Sequence, residues 1–388
     1  MIDEVVALQA LRRLAEGQAD DRAPPGPQAL LASLLRRRAA FGITRVGSVT
    51  RLGRIGLPVV QAVRPLALSN AVTQGKGTDS TQAALSAVLE AIETWAAERA
   101  PDRAGPPRAP ADDEIETWSS LWPDDGPPAG TRWIQAVDLL DGRAGAVPLA
   151  LVDTVYTLPS PHPSCFVRTT TGLGAGPTWH HAATHAALEC VEREALWRAR
   201  RRPHFFDRHQ VDIATAAAPV TGLVHRLHEA GLVVGAWRVP APLPVYWCHV
   251  MEDGRGDEFA PLPAEGFGCD LTEGGALMRA VLEACQARLT AIAAAREDLT
   301  SDRYAPGVDR EQLARWRLTL ASGSVPVPVE APMPEGDRLS ASLQALRLLG
   351  ARRVMAVPLA DVPELPLAVV RVVAPPLHTD PREGRYGV

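Results

Sequence analysis

Three groups of polar side chains recur at helical spacing within otherwise apolar stretches of this 388-residue chain. Ser86, Glu90 and Glu93 are separated by four and three residues, so on a helix they share one face. His181, His185, Glu189 and Glu192 follow at four, four and three, with Arg193 beside them, and Arg279, Glu283 and Gln286 repeat four and three. One Glu pair a helical turn apart is ordinary on a solvated face. Three stripes are different, because Ala84, Leu85, Val88, Leu89 and Ile92 make the rest of the first helix apolar. Its acids then lie in or near a packed core, where an unpaired carboxylate is strongly destabilising and needs a counter-charge.

Hard divalent cations meet that need, and Mg²⁺ usually takes one or two carboxylates and completes its shell with phosphate. Glu90, Glu93, Glu189, Glu192 and Glu283 are the candidate oxygen ligands. Each stripe also follows a glycine-rich run: Gln74-Gly75-Lys76-Gly77, Gly172 to Gly176, and Gly266-Phe267-Gly268. Read as turns, these runs let backbone N–H groups approach phosphate at a helix N-terminus, and Lys76 adds a point charge. The pattern G-x-x-x-x-G-K-[ST] occurs nowhere, so the expected Mg²⁺-nucleotide site has no Walker loop. His180, His181 and His185 offer a competing reading as a transition-metal site, but the run lacks the Glu of a metalloprotease helix.

The elements that must position these residues alternate between strand and helix. Residues 1–42 read as a helical arm broken at Pro24-Pro25-Gly26, and residues 43–388 as one catalytic domain. Strands are expected over 43–49, 57–63, 133–138, 150–156, 232–239, 245–251, 354–357 and 367–373. Helices are expected over 80–99, 179–201, 223–230, 274–296 and 339–349, with 101–130 a Pro-, Asp- and Gly-rich linker. The fold class is mixed α/β, with three glycine-introduced helices lining one nucleotide site.

Composition bounds the function classes. A 46% hydrophobic and 22% charged chain is an ordinary globular protein, and a net charge of −5 gives no general pull on nucleic acid or anionic lipid. The acidic start lacks a basic region followed by an apolar one, and no apolar run spans a bilayer. The five cysteines are scattered without a C-x-x-C pair, which fits the reducing cytoplasm.

Taken in order, Ser86-x-x-x-Glu90-x-x-Glu93, Gly172-x-x-x-Gly176 leading to Glu189-x-x-Glu192-Arg193, and Arg279-x-x-x-Glu283-x-x-Gln286 resemble the YcaO family. Gln74-Gly75-Lys76-Gly77, Arg296-Glu297-Asp298 and Val369-Val370-Arg371-Val372-Val373 extend the match across about residues 43 to 377. The resemblance implies an enzyme that binds ATP and Mg²⁺ through the Ser and Glu positions, with Lys76, Arg193 and Arg279 beside them, and phosphorylates a backbone amide oxygen of a peptide. A Cys, Ser or Thr side chain then gives an azoline, sulfide a thioamide and an amine an amidine. The run Arg45 to Arg64, with Gly56-Leu57-Pro58-Val59-Val60, resembles members encoded beside a TfuA partner and linked to thioamides. The ending Arg382-Glu383-Gly384-Arg385-Tyr386-Gly387-Val388 lacks the Pro-rich tail of azoline-forming members, which also favours thioamidation. The resemblance admits a homodimer.

Several positions depart from the family pattern. Thr171 and Pro177 stand where Asn is common, His181 where Glu is, Glu194 where Asp is, and Thr94 where Arg often follows the second Glu. Pro177 brings neither an amide side chain nor a backbone N–H. Pro177 and His181 motivate the alternative of a non-catalytic peptide-binding scaffold, while the five carboxylates of the stripes remain in place.

Overall fold

The computed structural model describes residues 3–18, 23–122, 128–162, 166–255, 262–296, 299, 309–330, 337–362 and 364–379. In chain order the elements are α1 (Glu4–Ala15), α2 (Pro27–Arg36), β1 (Arg45–Ser48), β2 (Val59–Val63), β3 (Val72–Lys76), α3 (Ser80–Ala97), α4 (Asp112–Trp118), β4 (Trp133–Asp138), β5 (Ala144–Pro148), β6 (Leu173–Gly176), α5 (Trp179–Arg201) and α6 (Phe205–Arg208). Then come β7 (Gln210–Asp212), α7 (Ala218–Glu229), β8 (Leu232–Val239), β9 (Val245–Glu252), β10 (Ala264–Cys269), α8 (Glu273–Ala293), α9 (Arg310–Leu320), β11 (Val325–Pro326), α10 (Arg338–Leu348), β12 (Met355–Asp361) and β13 (Ala368–Val373).

The strands form three sheets, ordered β1-β2-β3, β10-β9-β8-β7-β11 and β5-β4-β12-β13-β6. All pairings are antiparallel except that of β11 with β7. The mixed α/β class expected from the sequence is the class observed. Ala7, Leu11 and Leu14 of α1 lie in one core with α5 and the β12–β13 pair. Leu30 and Leu34 of α2 lie in a second core with α3.

The glycine-rich runs are strands, not turns. Gln74, Gly75 and Lys76 belong to β3, Leu173 to Gly176 form β6, and Gly266 to Gly268 lie within β10. The reason is tertiary. A Cβ on Gly75 would stand 2.2 Å from the carbonyl oxygen of Ala83 and 2.1 Å from the nitrogen of Ala87, so α3 lies directly on the strand backbone. Gly174 meets the Ala182 oxygen at 2.3 Å, and Gly268 meets the Ala276 oxygen at 2.2 Å. Two other expectations fail locally. Leu149 to Leu151 form a 3-10 turn at the end of β5 instead of starting a strand, and the 101–130 segment holds α4.

The three glycine contacts share one register. In each unit the alanines eight and twelve residues after the reference glycine, Ala83 and Ala87, Ala182 and Ala186, Ala276 and Ala280, form the helix surface that touches the strand. Four residues after it stands the N-cap, Asp79, Thr178 or Thr272, whose side chain accepts from the N–H of Gln82, His181 or Gly275. Each strand, β3, β6 and β10, ends its own sheet. Each also touches the helix of another unit: α3 meets β6, α5 meets β10 and α8 meets β3. Three strand-turn-helix units therefore close into a ring.

Candidate active site

The shared register stacks the polar stripes in layers inside the ring. Eleven residues after the reference glycines come Ser86, His185 and Arg279; fifteen after, Glu90, Glu189 and Glu283; eighteen after, Glu93, Glu192 and Gln286. Exposure falls along this series. The Arg279 side chain is 46% exposed, those of Glu283 and Glu189 29% and 20%, and that of Glu192 11%. The first layer is the mouth of a cleft and the third its floor.

At the floor, side chains cross from one unit to the next. The N–H of Ala175 on β6 donates to Glu93 Oε1 of α3 at 2.7 Å. Gln286 Nε2 of α8 donates to the carbonyl oxygen of Gln74 on β3. In the middle layer Lys76 Nζ of β3 donates to Glu283 Oε2 of α8 at 2.8 Å, and Gly172 N donates to Glu189 Oε2 at 3.1 Å. Arg193 spans Glu189 at 3.3 Å and Glu192 at 3.6 Å. The expected carboxylates of the three helices thus face one another, with Lys76 and Arg193 among them, and Ser86 stands one turn before Glu90 on the same face of α3. The Lys76–Glu283 pair was not legible in the sequence, although the common offsets from Gly75, Gly174 and Gly268 were there to be counted.

The cleft is short of positive charge. Burial raises the Glu90 carboxyl to about 7 even though Arg296 and Lys76 oppose the shift, with Glu283 and Glu189 adding to it. Burial does the same to Glu192, also to about 7, against Arg193. Glu93 is pushed well above its usual range by burial and then by Glu90 and Glu189. Burial also acts on Glu283, but there Lys76 and Arg193 outweigh it and hold the carboxyl below its ordinary value. Carboxylates that share protons at neutral pH suit a hard cation. Among the described residues no three His, Cys, Asp or Glu side chains converge to hold an ion alone. Hard oxygen donors at the middle and floor layers, with Lys76 and Arg193 beside them, fit Mg²⁺ held by one or two carboxylates with phosphate supplying the rest.

The histidines do not form a transition-metal site among the described residues. His181 Nδ1 lies 2.8 Å from Thr178 Oγ1, and His180 Nε2 lies 3.3 Å from Asp337 Oδ2. Three departures from the family pattern have partners outside the layers. Thr94 accepts from Arg64, whose guanidinium also pairs with Glu98. Glu194 binds Arg198 and His378, and Thr171 donates to the carbonyl oxygen of Thr379. The described cysteines Cys190, Cys248, Cys269 and Cys285 are buried, and burial first of all raises their thiols, which makes them poor nucleophiles. Glu297, Asp298, Cys165 and the ending 382–388 lie outside the described residues.

Among the described residues no helix is long and apolar enough to cross a membrane. The family model described as YcaO cyclodehydratase, ATP- and Mg²⁺-binding, matches residues 74–378. The chain is 31% identical, over 95% of its length and 92% of the other's, to an uncharacterized protein in the tfuA 3' region of Rhizobium leguminosarum bv. trifolii. Its fold is similar to that of YcaO from Methanopyrus kandleri bound with AMPPCP and Mg²⁺, at a TM-score of 0.67 and 23% identity over 90% of each chain. It is similar also to a heterocyclase in complex with substrate and cofactor, at a TM-score of 0.64 and 16% identity over 96% of this chain and 56% of that one. With the Ser and Glu stripes aligned in one cleft and the family match running over them, this chain belongs to the YcaO family.

Proposed function

We infer that the protein uses ATP and Mg²⁺ to phosphorylate a backbone amide oxygen of a peptide, and that sulfide then displaces the phosphate to leave a thioamide. The observation that carries the first part is the double layer of enclosed carboxylates that three helices bring together beside Lys76 and Arg193, where burial pushes the Glu90 and Glu192 carboxyls up. Bound Mg²⁺ would neutralise those carboxylates and spread the charge that develops on the transferred phosphoryl group.

The chain's own residues do the rest. Glu90, Glu93, Glu189, Glu192 and Glu283 are the carboxylates from which one or two would hold Mg²⁺, and Arg193 keeps Glu189 and Glu192 oriented through its two contacts. Lys76, Ser86 and Arg279 supply donors to phosphate, with Lys76 exchanging Glu283 for a phosphate oxygen. The amide oxygen attacks the terminal phosphorus, the bond to ADP breaks and the amide proton leaves. Sulfur then adds to the activated carbon and phosphate departs, so oxygen is exchanged for sulfur without a redox step. Catalysis of this kind is mostly positioning and charge stabilisation.

The thioamide branch rests on the relative in the tfuA region and on the Arg45 to Arg64 run, and it implies a TfuA-like partner that delivers sulfur. Calorimetry of the protein with AMPPCP, in Mg²⁺ and in EDTA, tests nucleotide use; equal affinity in the two would remove the metal role of the glutamates. Comparative peptide mass spectrometry of cells with and without the gene tests the product. A gene-dependent exchange of oxygen for sulfur is the expected result, and loss of one water without need of a sulfur source would assign the azoline or amidine chemistry instead. Binding of nucleotide without any peptide change would leave a scaffold.

A further inference from the structure

His185 is the mouth-layer residue to which the family likeness attaches no role. Its place in the ring is shared with Ser86 and Arg279: each stands eleven residues after the reference glycine of its unit and seven after the N-cap. The charges acting on it come from all three units, Glu189 from its own helix, Arg279 from α8 and Lys76 from β3. The residue is exposed at the mouth. His180 and His181, just before it on α5, face Asp337 and Thr178 instead.

The layers decide what reaches this imidazole. Metal belongs with the carboxylates of the middle and floor layers. The phosphoryl group that is transferred must touch the metal and also face the acceptor, which enters from solvent, so it lies against the mouth layer. That layer holds a hydroxyl, an imidazole and a guanidinium, all hydrogen-bond donors, and the guanidinium of Arg279 is already engaged by Asp270 at 2.9 Å.

We propose that His185 donates a hydrogen bond to the terminal phosphoryl group of a Mg²⁺-bound nucleoside triphosphate and so senses whether that group is present. The inference rests on the nucleotide site proposed above. Although the ring edge is open to the cleft, the protein packed around it withdraws it from bulk water, and that, with Arg279 and Lys76 adding, lowers its proton affinity against the pull of Glu189. A neutral imidazole still keeps one N–H to donate.

Calorimetric titration of Mg²⁺-AMPPCP and of Mg²⁺-ADP into the wild type, His185→Ala and His185→Asn tests this. His185→Ala should bind Mg²⁺-AMPPCP about tenfold more weakly and Mg²⁺-ADP about as the wild type does, because only the first ligand carries the third phosphoryl group. His185→Asn, which retains a side-chain N–H, should recover part of the loss. Equal weakening for both ligands, or no weakening for Mg²⁺-AMPPCP, would overturn the proposal while leaving the nucleotide site standing. A wild type that binds neither ligand would remove the site and this assignment together.

Discussion

On α3 and α5 the polar stripe ends at the cleft floor in a carboxylate, Glu93 and Glu192, whereas on α8 it ends in Gln286. The backbone around these positions is the same in all three units, down to the capped first turn and the paired alanines. The difference is therefore chemical. Glu93 accepts from a backbone N–H of β6, while Gln286 donates to a backbone carbonyl of β3. A sixth carboxylate at that point would face a carbonyl oxygen among acids already retaining protons. Geometry is repeated around the ring and charge is not: two helices supply carboxyl groups on both lower layers, and the third supplies one carboxylate that Lys76 neutralises.

The largest effect expected from this contrast is on activity. Glu192→Gln should cut ATP turnover about a thousandfold, the scale seen when one electrostatic contact to a transition state is lost, and its metal-free melting temperature should not fall. Steady-state assays and thermal melts in EDTA check both. The reciprocal change Gln286→Glu should lower the metal-free melting temperature, since it adds a buried anion and removes a donor; an unchanged melt would mean that the α8 floor is not distinct from the other two.

Next comes the shared backbone. Gly174→Ala places a methyl against the Ala182 carbonyl, which no side-chain rotation relieves. A loss of about 3 kcal/mol by chemical denaturation is expected, as for overpacking against fixed atoms. Gly222 on α7 is the control. A Cβ there meets nothing within 4 Å, so Gly222→Ala should stabilise by up to about 1 kcal/mol.

Metal-free stability should also depend on pH. Glu90 and Glu192 hold protons to about pH 7 in the folded chain, against 4.5 ordinarily. Between those values the folded state binds more protons than the unfolded one, so stability falls as pH rises from about 5 to 8. Saturating Mg²⁺ with AMPPCP should flatten that slope. Thermal melts across the range check it, and a metal-free slope of the opposite sign would show that these acids are already paired. The smallest effects concern the caps: Asp79→Ala, Thr178→Ala and Thr272→Ala should each cost about 1 kcal/mol, and similar values for all three would support the equivalence of the units.

Much of this cleft was legible before any coordinates. Spacings of four and three residues put each stripe on one helix face, and the apolar setting of Glu90 and Glu93 announced a need for counter-charge. Glycine was the misleading signal. A run such as Gly174-Ala175-Gly176 reads as a turn because glycine usually marks one, yet here it marks the absence of room for a Cβ beneath a helix. That cause is tertiary, and the local sequence carries it only as an alanine pair eight and twelve residues on. The helix α9 leaves little periodicity in the sequence because Arg310, Glu311, Arg315 and Arg317 blur its apolar side, where Leu313 and Leu320 are buried. Pairing between units, as in Gln286 with Gln74, leaves no trace in periodicity at all.

The Lys76–Glu283 contact joins residues 207 positions apart, and this has a consequence for synthesis on the ribosome. At about 5 to 20 residues per second, Lys76 emerges roughly ten to forty seconds before its partner. Throughout that interval α8 has not arrived to meet β3, so the end strand of the first sheet is a template for stray pairing. A nascent chain can assemble α3 on β6 but has no third helix with which to complete a triphosphate cleft. Nucleotide capture is thus deferred until α8 has been made, and the exposed β3 edge is the segment a chaperone would have most reason to shield.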